Sequence, residues 1–207
     1  MGRPLFVAGM QRSGTSILTR IVQTVRSVAR QFHPCPRYDI PFLAELGAGL
    51  PPKQSLWLQE VGRYFARTPE PWGLVHLALA VSAESFAWPL LAERFPKAAF
   101  VFTLRDSLDA QASWRDSLPY LAAYEAQKKV SPAAYFEWSD AQRDLIETFA
   151  AARPDRSVVI SYEELVLAPK LTMAPVWRLL KMEAPKGWEK WIRKPKHWNL
   201  PRRKALT

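Results

Sequence analysis

Apolar residues along the chain fall into short unbroken runs and helically spaced sets, and the two kinds alternate. Pro4-Leu5-Phe6-Val7-Ala8 is unbroken and ends at Gly9, which predicts a short buried strand. From Gly14 the positions Ile17, Leu18, Ile21, Val22 and Val25 recur at three- and four-residue spacing, predicting a helix to about Arg30. Residues 31–54 are rich in proline and read as irregular chain with one short strand near Tyr38–Phe42. Trp57, Val61, Tyr64 and Phe65 mark a second helix, Trp72–Ala80 a strand, and Ser82–Phe95 a helix despite Pro89. Residues Ala98 to Leu104 form the clearest buried strand, followed at once by Arg105 and Asp106, with a helix starting near Ser107. Ser131 reads as the N-cap of a helix with Pro132 at its first position, running to about Ala152. Ser157–Ser161 is strand-like and Ala174–Met182 a final helix. Strands alternating with helices predict an α/β fold: a single three-layer domain with a central parallel sheet covered on both faces.

Composition narrows the class. At 207 residues, with 48% hydrophobic and 23% charged positions, the chain is long enough for one real core and too apolar for wholesale disorder. It reads as a single domain over residues 1–207. The lone cysteine, Cys35, excludes an internal disulfide framework, and His33, His76 and His197 do not form a metal-ligand spacing. No run approaches the roughly 18 apolar residues of a membrane span, and the N-terminus lacks the build of a signal peptide, so a soluble, cytoplasmic protein is expected. The net charge is +10, and residues 181–207 hold nine Lys/Arg against two Glu, or +7. A basic segment of this kind suits an acidic partner, cofactor or substrate, or is simply a solvated terminus.

The candidate chemistry begins between the first strand and the first helix. In Gly9-Met10-Gln11-Arg12-Ser13-Gly14-Thr15-Ser16 the glycines let the backbone curl so that successive N–H groups face one concavity, and the helix N-terminus adds its dipole. The spacing is that of a phosphate-binding P-loop, but Thr15 stands where the lysine belongs and the cation has moved to Arg12. Asp106 is the available acid for Mg²⁺, yet Arg105 beside it disfavours a cation. Both features count against an ordinary kinase or ATPase.

The segment Phe6 to Ser16 resembles the 5′-phosphosulfate loop of the sulfotransferases that use 3′-phosphoadenosine-5′-phosphosulfate (PAPS), with Arg12 at the family's basic position. FVFTLRDSLDAQAS resembles the family's strand that ends in an Arg, followed eight residues later by a Ser, here Arg105 and Ser113. The resemblance implies that this pair holds the 3′-phosphate. Ser161-Tyr162-Glu163-Glu164-Leu165 resembles a third family segment, whose Tyr lies on the adenine side. The implied function is transfer of a sulfuryl group from PAPS to a hydroxyl or amine, leaving 3′,5′-adenosine bisphosphate (PAP). Gly9, Arg12, Ser13, Gly14, Thr15, Ser16, Arg105, Ser113 and Tyr162 are the expected cofactor contacts, with no metal. Physical reasoning agrees, because a nucleotide with phosphates at both ends of its ribose needs two anion sites at the C-terminal ends of neighbouring strands.

Transfer to a hydroxyl needs a base for its proton and positive charge on the leaving phosphate. Arg12 is the expected source of the charge. His76, in a segment similar to the histidine-bearing one of small-molecule sulfotransferases, is a candidate base; an imidazole with an ordinary pKa of about 6.5 suits the task. Asp39 and Glu45 are the carboxylate alternatives, as in branches of the family acting on sugars or tyrosine. The acceptor class stays open between carbohydrate and small molecule. Two rivals stand beside this reading. One is a P-loop kinase or NTPase, and the other is a non-enzymatic basic protein that binds nucleic acid or another long polyanion through its C-terminal charge, without discriminating nucleotides.

Overall fold

The computed structural model describes residues 2–30, 52–79, 88–117 and 130–192. The first strand, β1 (Arg3–Met10), leads into α1 (Thr15–Val22). α2 (Pro52–Arg67), β2 (Trp72–Leu79) and α3 (Trp88–Arg94) follow. Then come β3 (Ala99–Leu104), α4 (Ser107–Ser117), α5 (Pro132–Ala151) and β4 (Ser157–Ser161). α6 (Tyr162–Leu167), α7 (Pro169–Leu180) and a 3₁₀ turn at Trp188–Trp191 complete the described chain. The four strands are all parallel, in the order β2-β1-β3-β4. This is the expected α/β architecture.

Alternation along the strands divides the core in two. Phe6, Ala8 and Met10 of β1, with Val75, Leu77, Phe100 and Phe102, pack against α2, α3 and α5. Phe6 stacks on Phe100 at 5.2 Å, and Phe149 of α5 meets Phe100 edge-on at 5.1 Å. On the opposite face Leu5, Val7, Leu74, Val101 and Ile160 meet Leu18, Ile21 and Val22 of α1 and Met173, Val176 and Trp177 of α7. A sheet apolar on both faces requires continuous apolar strands, and this explains why β1 and β3 read as unbroken runs.

Several boundaries differ from the sequence reading. α1 stops at Val22, not near Arg30, because the following residues serve β2: the Trp72 N–H donates to the Ser27 carbonyl, and the Ala29 N–H donates to the Trp72 carbonyl. Pairing with a neighbouring strand overrides a local helical spacing that continues only to Val25. The last helix begins at Pro169, not Ala174, since proline fits the first helical position, where no N–H is needed. α6 was not expected. Ser161 caps it, its side chain accepting from the Glu164 N–H. The cap expected at Ser131 is present, its hydroxyl accepting from the Ala134 N–H at 3.1 Å. The strand expected at Tyr38–Phe42 and the first part of the helix expected over Ser82–Phe95 lie outside the described residues.

Candidate active site

Parallel strands bring β1, β3 and β4 to a common C-terminal edge, and the loop after β1 is fitted there against β3. A Cβ at Gly9 would lie 2.5 Å from the Thr103 carbonyl oxygen and 2.7 Å from its hydroxyl, so only glycine allows this approach. The Ser13 hydroxyl donates to the Met10 carbonyl at 2.6 Å and lies 2.9 Å from the Thr103 hydroxyl, closing the loop on the strand beside it. Arg12, at the outer bend, has φ +71°, a left-handed conformation uncommon for a residue with a side chain. Gly14, at φ +100°, is the N-cap of α1, and a Cβ there would sit 2.4 Å from the Tyr162 ring. Thr15 is buried and Ser16 exposed on the first turn of α1, whose leading N–H groups have no partner within the helix.

Two arginines meet at this edge. Arg105 follows the last residue of β3 and is only 5% exposed. Its Nη1 donates to the Arg12 carbonyl at 3.1 Å, and its guanidinium carbon lies 4.9 Å from the centre of the Tyr162 ring. Arg12 in turn donates from Nε to the Ser113 hydroxyl on α4 at 3.1 Å. The loop, the end of β3 and α4 are therefore joined through the residues the sequence singled out. Burial pushes the Tyr162 phenol's pKa upward, while Arg105 pulls against that shift, Glu163 adds to it, and Arg12 opposes it. The ring remains a neutral platform beside Gly14 and Arg105.

The peptide group between Arg105 and Asp106 is held at both ends. Arg143 of α5 donates from Nη2 to the Arg105 carbonyl at 2.9 Å. Glu163 accepts the Asp106 N–H at 2.8 Å on Oε1 and the Ser161 hydroxyl at 2.8 Å on Oε2. Asp106 accepts from the Leu108 and Asp109 N–H groups, so its carboxylate caps α4. Sequence reasoning missed Arg143 and Glu163 as site residues. An acid directly after Tyr162 was a local signal for Glu163; Arg143, on an amphipathic helix, offered none.

His76 stands apart. It is half-buried on β2, in register with Val7 on the face that carries Leu74, and β1 separates its strand from β3. It lies three residues before the end of β2. Asp39, Glu45 and the basic stretch beyond residue 192 lie outside the described residues. Among the described residues there is no group of three or more His, Cys, Asp or Glu able to hold a metal ion, and no helix is long and apolar enough to cross a membrane.

The fold is shared with known sulfotransferases. A sulfotransferase domain from the curacin biosynthetic pathway superposes with a TM-score of 0.63 at 16% identity, over 94% of this chain and 79% of that one. A sulfotransferase from Alicyclobacillus acidocaldarius gives 0.59 at 15%, over 100% and 90%. Mouse sulfotransferase SULT7A1 complexed with PAP gives 0.60 at 13%, over 92% and 62%. No curated protein matches the chain in sequence. The model of the sulfotransferase family matches residues 82–186, from the approach to β3 through Arg105, Ser113 and Tyr162 to beyond α7. On that match, covering half of its length, the chain belongs to the sulfotransferase family.

Proposed function

We propose that this sulfotransferase takes its sulfuryl group from PAPS and passes it to a hydroxyl or amine acceptor. The observation that carries this reading is the linkage of Arg12, Ser113 and Arg105 at one sheet edge. Arg105 is held on the Arg12 carbonyl and Arg12 on the Ser113 hydroxyl, and two cations so placed suit a nucleotide anionic at both ends of its ribose. The residues present fit such a group: Gly14 lets the Tyr162 ring pack against the start of α1, and the loop leads directly into that helix's N-terminus, where anions bind well. The mouse neighbour complexed with PAP supports the same nucleotide here.

In this reading Gly9, Ser13, Gly14, Thr15 and Ser16 shape and line the 5′ site, Arg105 and Ser113 hold the 3′-phosphate, and Tyr162 supports the adenine side. PAPS, when bound, supplies an activated sulfuryl group. Arg12 is permanently charged and sets positive charge where the leaving phosphate gains negative charge. Thr15 in place of a P-loop lysine, and Asp106 occupied as a helix cap, both weigh against metal-dependent phosphoryl transfer.

For the base, chemistry and position pull apart. The imidazole of His76 suits proton abstraction, but three residues of strand put it about 10 Å below the end of β2. We carry His76 as the base and Asp39 or Glu45 as its replacement. The His76→Ala variant decides: a loss of roughly 10²–10⁴-fold in rate with nucleotide binding retained supports the histidine. Wild-type turnover in that variant, with collapse in Asp39→Ala or Glu45→Ala, moves the role to a carboxylate. The cofactor is tested by thermal shift without metal: PAP should raise the melting temperature by mass action. Stabilisation by ATP–Mg²⁺ alone would overturn the proposal.

A further inference from the structure

Tyr135 lies in the first turns of α5 and is 0% exposed, and its hydroxyl has no hydrogen-bond partner among the described residues. Its ring is fixed on three sides: Trp114 at 5.2 Å, Phe136 at 6.0 Å edge-on, and Trp138 at 6.0 Å. Burying a hydroxyl without a partner costs free energy, so such a group calls for a reason.

Its position gives one. α5 runs down the sheet, with Phe149 beside Phe100 near the start of β3, and Ser139 donating to the Met10 sulfur at the end of β1 at 3.3 Å. Tyr135 is one helical turn before Ser139, about 6 Å further toward the C-terminal edge, where the loop lies. Trp114, which packs on its ring, directly follows Ser113, the residue bonded by Arg12. Arg105 and Arg12 both act on the phenol electrostatically, opposing the upward push of burial on its pKa. Guanidinium groups have no lone pair to offer, so neither can accept the phenolic proton. An anion between them can.

We propose that the Tyr135 hydroxyl donates a hydrogen bond to a phosphate or sulfate oxygen of the nucleotide held by Arg12 and Arg105. This inference rests on the nucleotide reading above. Tyr135 would then be a binding residue, supplying a neutral donor where the arginines supply charge. It lies within the stretch matched by the family model but in none of the three short motifs, and in the sequence it is indistinguishable from a core position of an amphipathic helix.

The experiment compares Tyr135→Phe with wild type by calorimetric titration with PAP, 5′-AMP and 3′-AMP, alongside the melting temperature of the ligand-free protein. Loss of the hydroxyl should weaken PAP about 10-fold or more, while the ligand-free melting temperature stays level or rises. If 3′-AMP is weakened and 5′-AMP is not, the acceptor oxygen is on the 3′-phosphate; the reverse pattern places it at the 5′ end. Unchanged PAP affinity overturns the proposal. So does a ligand-free variant that is less stable than wild type or fails to fold, because the hydroxyl would then have a partner within the protein. Arg105→Ala serves as the reference. If that variant also binds PAP as wild type does, the nucleotide reading has failed; if it is weakened and Tyr135→Phe is not, only the Tyr135 assignment has.

Discussion

At the scale of single residues, Arg12 carries two demands that a substitution can separate. Its left-handed backbone, at φ +71°, favours glycine, while its side chain supplies the charge at the loop. Replacement by Gly should therefore leave the ligand-free protein more stable than replacement by Ala, by about 1 kcal/mol, reversing the order at ordinary positions. Both variants should lose turnover alike, since both lose the guanidinium. Equal stabilities by denaturant titration would show that the bend relaxes without strain. Glu163 makes a second case. Glu163→Ala frees the Asp106 N–H that leads out of Arg105, and it should lower PAP affinity more than AMP affinity; a parallel fall in both would mark Glu163 as support for the fold alone. Arg105 and Ser113 were legible because their spacing along one strand and helix is local. Tyr135 and Arg143 were not, because what makes them notable is the arrival of α5 beside the loop, and no stretch of sequence contains that meeting.

At the scale of elements, the same division between local and distant causes sets which boundaries were visible. β1, β3 and the Ser131 cap follow from neighbouring residues and were read correctly. The end of α1 depends on Trp72, fifty positions away from Val22, and was misplaced. α6 is only six residues long, too short for periodicity to show, and its start is signalled only by Ser161 with Glu163 and Glu164 in the first turn. Gly14 joins three of these elements: it ends the loop, caps α1 and receives the first residue of α6. Gly14→Ala must strain φ +100° and displace the Tyr162 ring, so a cost of about 1–3 kcal/mol in stability is expected, with weakened nucleotide binding. Phe149→Leu, in the core beside Phe100 near the start of β3 and far from the loop, should cost a similar amount, about 1–3 kcal/mol, and leave nucleotide affinity as it was. Binding lost equally in both variants would show that the loop is sensitive to global stability, not to the Gly14–Tyr162 contact.

At the scale of the molecule, a parallel sheet collects at one edge what the sequence scatters from residue 9 to residue 163. The same burial that builds the core leaves an alkaline signature. Tyr64, Tyr135 and Tyr162 all have phenol pKa values raised above the ordinary 10.0, with removal from water the largest cause in each. As pH rises past that value, the unfolded chain releases these protons while the folded protein keeps them. Stability is therefore untouched by these groups below about pH 10 and falls as pH climbs from there through the folded values. Tyr135→Phe should flatten that decline; an unchanged alkaline slope would mean its phenol is not withheld from solvent.

In the proposed function Arg105 reads the 3′-phosphate of a nucleotide whose other end lies in the loop beside Arg12. The ratio of PAP to AMP affinity, measured by calorimetry for wild type and Arg105→Ala, tests it most directly. The wild-type protein should prefer PAP by about 10- to 150-fold, the worth of one charge-assisted phosphate contact. That preference should fall about 10-fold or more in Arg105→Ala while AMP affinity holds. A preference for PAP that survives the loss of Arg105, or that is absent from wild type, would contradict the account.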